Sequence, residues 1–235
     1  MQPPARKVMV VTAHPDDSEF GCAGTVALWT SQGTEVTYVI CTNGDKGSSD
    51  RSMTSERLAV IREREQRRAA ETLGVKNVVF LGFRDGSLED DHLRREAIVR
   101  QIRRYRPELV ITLDPYQPWR RLHNHRDHRI CGILALDACF PYARDHLSYP
   151  EHLEMGLEPH KVGTVYLTGS ERPDVWVDVT TTFERKLAAL RCHESQVGQW
   201  PRDDFENQLR AWARSQGEAK GYQLAEAFRC IPFMT

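Results

Sequence analysis

The sequence predicts an α/β fold: a doubly wound, mainly parallel sheet with helices on both faces. Three observations carry this. Short β-branched apolar runs alternate with longer segments of helical periodicity. The runs Val8–Ala13, Thr34–Thr42, Val78–Leu81 and Leu109–Leu113 have the near-continuous apolar character of strands covered on both faces. Polar clusters fall just after those runs, where open α/β sheets place their ligands.

The elements follow in order. Val8–Ala13 breaks into His14-Pro-Asp-Asp17, after which Gly21, Gly24 and Ala27-Leu-Trp29 suggest a helix. Thr34–Thr42 is a second strand ending in the Gly/Ser/Asp loop 43–50. Residues 54–73 read as a long helix with Leu58, Ile61, Ala69, Ala70 and Leu73 inward and Gly74 as its C-terminal stop. A short strand at Val78–Leu81, a turn at 82–87, a helix at Leu93–Tyr105 and a buried strand at Leu109–Leu113 come next. Ile130–Cys139, small and apolar, reads as a buried helix. Residues 140–161, rich in Pro, His, Tyr and charge, are expected to run over the active edge as a lid or substrate wall. Thr164–Leu167 and Val175–Val179 read as late strands and Phe183–Cys192 as a helix. Asp203–Gln216 is an amphipathic helix within a C-terminal helical extension over 199–235.

With 235 residues, 40% hydrophobic and 28% charged, the chain suffices for one substantial core, and a single domain over 1–235 is expected. A formal net charge of −1 offers no electrostatic basis for binding nucleic acid or an anionic membrane. No stretch approaches the roughly 18 continuous apolar residues of a membrane span. The first seven residues lack the apolar run of a signal peptide, so a cytoplasmic protein is expected. Cysteines 22, 41, 131, 139, 192 and 230 form no C-x-x-C pair and read as reduced, mostly buried thiols.

The chemistry lies in two clusters. His14, Asp16 and Asp17 follow the first strand, and Leu122-His-Asn-His-Arg-Asp-His-Arg129 follows the strand that ends near Asp114. In a parallel sheet both emerge on the same edge. One histidine and one carboxylate from the first cluster, with a histidine from the second, make a facial set of three N/O ligands with open positions for water, the layout of catalytic zinc. Asp16, beside a ligand, can take a proton from the water, and a second histidine can protonate a leaving group or steady an oxyanion. That set suffices to hydrolyse an amide. Alone, His-Pro-Asp-Asp reads as readily as a turn with a helix cap, and the histidines at 123, 125 and 128 as a solvated loop. Their joint placement at two parallel strand ends favours a site.

Ala13-His-Pro-Asp-Asp-Ser-Glu-Phe-Gly-Cys-Ala-Gly-Thr25 resembles the signature of the LmbE-like, or PIG-L, deacetylase family, and His125-Arg-Asp-His-Arg129 resembles its second motif. The likeness continues through Arg62-x-x-Glu65, Ala69 to Leu73-Gly74, Asp85-Gly86, Asp178-Val-Thr and Lys186 to His193-Glu-Ser-Gln196. It implies a Rossmann-like fold and a zinc-dependent N-deacetylase, with another divalent metal such as Fe²⁺ as the alternative. The implied substrate is a small N-acetylglucosamine-type sugar or its conjugate, and a homo-oligomer is a further expectation. Position by position, the resemblance makes His14, Asp17 and His128 metal ligands and Asp16 the general base. It makes His125 the histidine that polarises the carbonyl or protonates the amine, and Asp127 the partner that orients His125 or a ligand. His123 competes with His125 for the metal-facing place, and spacing to His128 favours His125.

For substrate binding, the resemblance singles out Arg62 for a sugar hydroxyl or anionic group. Asp85 is a candidate acceptor from substrate hydroxyls, with a turn role as the competing reading, and His193 is placed near the site edge. Trp119 and Trp200 are the candidates for stacking on a sugar; Arg120, Arg121, Arg126 and Arg129 read as a solvated loop. Two departures stand out: Arg126 where the family commonly has proline, and Ser18 before Glu19. Two other functions compete. One is cleavage of a larger amide, such as a thiol-sugar conjugate. The other is a noncatalytic nucleotide-binding module, disfavoured because only Gly21-x-x-Gly24 follows the first strand, behind aspartates that would repel a pyrophosphate.

Overall fold

A computed structural model describes residues 5–116, 125–218 and 220–233. The strands are β1 (Lys7–Thr12), β2 (Glu35–Thr42), β3 (Asn77–Phe83), β4 (Leu109–Leu113), β5 (Thr164–Thr168), β6 (Val175–Asp178) and β7 (Ala225–Pro232). The helices are α1 (Asp17–Ser31), α2 (Ser55–Leu73), α3 (His92–Tyr105), α4 (Arg126–Cys139), α5 (Glu151–Glu154), α6 (Phe183–Arg191), α7 (Glu194–Val197) and α8 (Arg202–Glu218). One sheet in the order β3-β2-β1-β4-β5-β7-β6 contains all seven strands. The pairs from β3 through β5 are parallel, and β7 runs antiparallel between β5 and β6.

Strand alternation builds the two layers. Val8 and Val10 of β1 join Val36, Tyr38, Ile40, Leu109 and Ile111 beneath α1, α2 and α6. Met9 and Val11 join Val39, Cys41, Val110, Val165 and Leu167 beneath α3 and α4. Because successive strand side chains point to opposite faces, unbroken apolar runs are what a sheet with helices on both sides requires. The expected boundaries hold closely for α2. Thr54 caps it, its hydroxyl accepting from the Arg57 N–H at 3.2 Å, and Gly74 ends it in a left-handed conformation with φ 78°.

Two expectations fail. Residues 199–235 are not wholly helical: Ala225–Pro232 is a strand inserted into the sheet. Its Ala-Glu-Ala-Phe pattern places Glu226 in the core, which hides it from a reading that seeks apolar alternation. Residues 140–161 do not border the cavity described below. They are tied to α3, where the buried Arg103 guanidinium donates to the carbonyls of Tyr142, Ala143, Asp145, Ser148 and Tyr149 at 2.7–3.2 Å. That one side chain ties five carbonyls of the segment to α3, adding to the backbone N–H groups of His160, Ser148 and His152 that Ala143, Asp145 and Tyr149 already accept. All six cysteines are free, as expected. Among the described residues no helix is long and apolar enough to cross a membrane.

A buried ion pair fixes α1. Lys186 Nζ meets Glu226 Oε1 at 2.6 Å with both side chains essentially inaccessible. The Glu226 carboxylate accepts the N–H groups of Gly24 at 3.0 Å and Thr25 at 2.7 Å, while Lys186 also donates to the Phe20 carbonyl at 2.8 Å. Only glycine fits at 24, since a Cβ there would lie 2.8 Å from that of Val179. Breaking one half of a buried pair strands the other charge, at a cost of about 3–5 kcal/mol. Lys186→Met is therefore expected to lower the unfolding free energy, read by urea titration, by that much. Lys186→Met combined with Glu226→Gln is expected to lose less than the single variant.

Candidate active site

The β1–β4 pairing, with Val8 opposite Leu109 and Val11 opposite Thr112, delivers both polar clusters to one sheet edge. Past β1 the chain turns at 13–16 into α1, and past β4 the described chain resumes at His125, the N-terminal cap of α4. Helix α4 begins four residues earlier than its apolar run suggests, which puts His128 in its first turn. The donor atoms of His14, Asp17 and His128 converge: His14 Nδ1 lies 3.2 Å from His128 Nε2, His128 Nε2 lies 3.0 Å from Asp17 Oδ1, and His14 Nδ1 lies 3.5 Å from Asp17 Oδ2. The His125 ring stands edge-on to His14, centroids 4.7 Å apart.

Behind this triangle, His14 Nε2 faces Asp85 Oδ1 at 3.1 Å and Asp127 Oδ2 at 3.5 Å. Asp127 is fully buried and accepts the N–H groups of Gly86 at 2.6 Å and Leu88 at 3.2 Å. A proton on Nε2 shared with these carboxylates leaves the Nδ1 lone pair facing His128 and Asp17, the arrangement found behind metal-ligating histidines. Tetrahedral ligands at the ~2.0–2.2 Å distances usual for zinc stand roughly 3.3–3.6 Å from one another, and the three separations of 3.0–3.5 Å lie within about 0.3 Å of that range. The donor set therefore fits a divalent metal. Potential ligand atoms of His14, His125 and His128, and of His14, Asp85 and Asp127, also lie within 4.8 Å of one another. The second of these groups uses the His14 nitrogen that the carboxylates already occupy.

Asp16 is held in a strained backbone conformation, φ 98° and ψ −25°, unusual for a residue with a side chain. Its N–H donates to Gln66 Oε1 at 2.9 Å; Gln66 Nε2 donates to both Glu19 oxygens at 3.0 and 3.1 Å; and Glu19 Oε2 meets His193 Nε2 at 3.2 Å. Arg62 completes the frame, donating to the Pro15 carbonyl at 2.6 Å and to Asp16 Oδ2 at 3.2 Å. Burial pushes the Asp16 carboxyl up to about 6, against the opposing pull of Arg62. Burial also works against the Asp17 charge, but the His128 and His14 contacts outweigh it and hold that carboxyl well below the usual range. His125 is lowered by burial and by the neighbouring His14 and His128.

A cavity of about 560 Å³ opens over this cluster, bordered by His14, Asp16, Asp17, Arg62, Asp85, His125 and His128. Three expectations change. His193 is fully buried against Glu19 and does not border the cavity, so it cannot touch a substrate. The motif that contains it packs inward, Ser195 donating through N–H and hydroxyl to Glu65 at 2.8 and 2.6 Å. Arg62 borders the cavity, but its donors also serve the carbonyls of Gly44 and Lys46 and so hold the site's own loops. Asp85 borders it too, with its carboxylate turned to His14. Asp127 orients His14 through its carboxylate; its contact with His125 is its backbone N–H donating to Nδ1 at 3.1 Å. Trp119, Arg120, Arg121 and His123 lie outside the described residues. Sequence reasoning missed Gln66 and Glu19, whose signal was a polar side chain on the inward face of each helix.

The sequence matches the family described as PIG-L: GlcNAc-PI de-N-acetylase over residues 9–139. It is 34% identical to a diacetylchitobiose deacetylase of Thermococcus kodakarensis across 97% of this chain and 84% of that protein. The chain belongs to the PIG-L family. Another relative, a probable N-acetyl-alpha-D-glucosaminyl L-malate deacetylase of Bacillus cereus, is 29% identical across 82% of this chain and 84% of its own. The solved N,N'-diacetylchitobiose deacetylase of Pyrococcus horikoshii superposes with a TM-score of 0.90 at 33% identity, covering 97% of this chain and 85% of that one. The PIG-L match contains every residue of the His/Asp cluster and stops at the end of α4, leaving α8 and β7 outside it.

The strain at Asp16 has a measurable consequence. Glycine reaches positive φ without the penalty of about 1–3 kcal/mol that a side chain bears in such regions. Asp16→Gly and Asp16→Ala both remove the carboxylate that meets Arg62, so Asp16→Gly is expected to show the higher thermal midpoint of the two, read by circular dichroism on the metal-free protein in chelator.

Proposed function

We propose that this PIG-L chain is a metal-dependent hydrolase that removes the acetyl group from N-acetylglucosamine-type sugars or their conjugates. The observation that carries the reading is the convergence of His14 Nδ1, Asp17 and His128 Nε2 within 3.0–3.5 Å, with the Asp16 carboxylate beside them at the cavity wall. His14, Asp17 and His128 would hold the metal, with Zn²⁺ the first choice and Fe²⁺ the alternative. Such an ion supplies a Lewis acid for the acyl oxygen and brings the pKa of water toward neutrality.

The protein's own groups do the rest. Asp85 and Asp127 fix the tautomer and angle of His14. Asp16, steadied by Arg62 and by its N–H bond to Gln66, takes the proton of the attacking water. His125, edge-on to His14 at the cavity wall, polarises the acetyl carbonyl and steadies the charge that develops on its oxygen. The water oxygen bonds to the acyl carbon, the C–N bond breaks, and the proton collected by Asp16 passes to the nitrogen. Acetate and a free amine leave.

Purified protein dialysed against zinc is expected to retain one ion per chain by elemental analysis. Asp16→Asn should keep that ion while kcat for acetate release falls by about 10²–10⁴-fold, whereas His128→Ala should lose the ion. A panel of free N-acetylglucosamine, its disaccharide and a thiol-sugar amide reads the substrate. An Asp16→Asn variant of full activity, or protein that holds no divalent metal, would sink the proposal.

A further inference from the structure

The peptide between Pro15 and Asp16 is clamped at both ends of its dipole. Its carbonyl accepts from Arg62 Nη2 at 2.6 Å, and its N–H donates to Gln66 Oε1 at 2.9 Å. Turning this peptide over would carry Asp16 from φ 98° to a negative φ, relieve the strain and re-aim the Cα–Cβ bond that presents the carboxylate. An amide opposes that rotation only when its oxygen faces the N–H, and Glu19 decides which way Gln66 faces. Gln66 Nε2 donates to both Glu19 oxygens at 3.0 and 3.1 Å, and Glu19 Oε2 also accepts from the Ser18 hydroxyl at 3.2 Å and faces His193 Nε2 at 3.2 Å. An ionised carboxylate accepts and cannot donate, so a reversed Gln66 would set oxygen against oxygen at Glu19 and N–H against N–H at Asp16. Glu19, Gln66 and His193 are each 0% exposed, so bulk water does not replace a lost partner.

We infer that Glu19 and Gln66 are a positioning pair for catalysis: Glu19, anchored by His193, locks the Gln66 amide in the orientation that holds the Asp16 peptide and aims its carboxylate, a role that rests on the deacetylase reading for the task of Asp16. Neither residue borders the cavity, so both act through Asp16 and touch no substrate. Stability requires only that every buried donor meet an acceptor. Positioning requires in addition that an acceptor face the Asp16 N–H. Exchanging the two residue types, Glu19→Gln with Gln66→Glu, preserves both: the carboxylate at 66 accepts from Asp16 and from the amide at 19, whose oxygen takes the His193 N–H. What the pair supplies is the direction of its hydrogen bonds, and the exchange keeps that direction while changing both side chains.

Zinc-loaded wild type is compared with Gln66→Met, Glu19→Met, the exchanged double variant and Arg103→Met, which disturbs a buried cluster in a segment that does not border the cavity. Gln66→Met and Glu19→Met are expected to keep their zinc and a KM near that of wild type while kcat for acetate release falls about 10–100-fold. The exchanged variant should recover kcat to within about threefold of wild type, and Arg103→Met should lose stability but not kcat. Hydrogen exchange at the Asp16 N–H, read by NMR, is a second measure that needs no turnover: about tenfold faster in both Met variants and slow again in the exchanged one. Should Glu19→Met fail to fold, Gln66→Met and the exchanged variant decide. A kcat for Gln66→Met no lower than that of Arg103→Met, an exchanged variant as impaired as Gln66→Met, or unaltered hydrogen exchange at Asp16 in Gln66→Met overturns the inference. A wild type that releases acetate from none of the N-acetylated sugars removes the deacetylase reading instead, and hydrogen exchange at Asp16 then still decides whether the pair holds the peptide.

Discussion

Everything at the site depends on one pairing: β1 lies between β2 and β4, parallel to both. The chain leaves β1 toward β2 on one side and returns as β4 on the other, so the ends of β1 and β4 flank the point where the winding reverses. His14 follows one of those strands and His128 the other. Neither cluster makes a ligand set alone, because His14 and Asp17 supply two donors and the third comes from the first turn of α4. A one-residue slip of this pairing would turn every side chain of β1 to the wrong layer, and the two-sided core forbids it.

Around the site the protein buries an unusual density of polar side chains and satisfies them mostly with one another. Glu19, Gln66 and His193 form one chain behind Asp16; Asp85 and Asp127 back His14; Lys186 and Glu226 grip α1 from below. These are costly to desolvate and gain little net stability over apolar packing. Their effect is positional. They hold α1 and the loops after β1, β2 and β3 against a backbone that is strained at Asp16, as functional positions often are.

The strand ends and their chemistry were legible because parallel strands announce themselves by apolar runs and because sites follow such runs. His14, Asp16, Asp17, His125 and His128 all border the cavity for that reason. What escaped was set by tertiary context. His193 sits in a motif that resembles a site sequence, yet the motif turns inward because Ser195 and His193 find Glu65 and Glu19 on the buried faces of α2 and α1. The strand β7 carries a glutamate at a core position whose partner, Lys186, is forty residues earlier, so alternation alone misreads it. The segment 140–161 looked like a lid by composition. It is a packed loop because one buried arginine on α3 gathers five of its carbonyls.

The two halves of the cavity answer to different constraints. The polar half is fixed by strand ends and by buried partners that tolerate little change, since altering any member strands a charge or an N–H group. The other half, an apolar wall of Phe20, Trp200, Phe205, Leu209 and Trp212, is held by packing and by a few ion pairs of α8: Phe205 sits with Leu190 and Val197 in a small cluster against Phe20, Ala213 of α8 reaches the main core, and Glu206 of α8 accepts from Arg191 Nε at 2.8 Å. Hydrophobic contacts of this kind accept replacement by other apolar side chains of similar volume at small cost. Exchange of residues on α8 can therefore reshape that half of the cavity while leaving the geometry of His14, Asp17 and His128 untouched. In this fold the polar cluster is bound to the sheet edge, and the apolar wall is bound to a helix the sheet does not dictate.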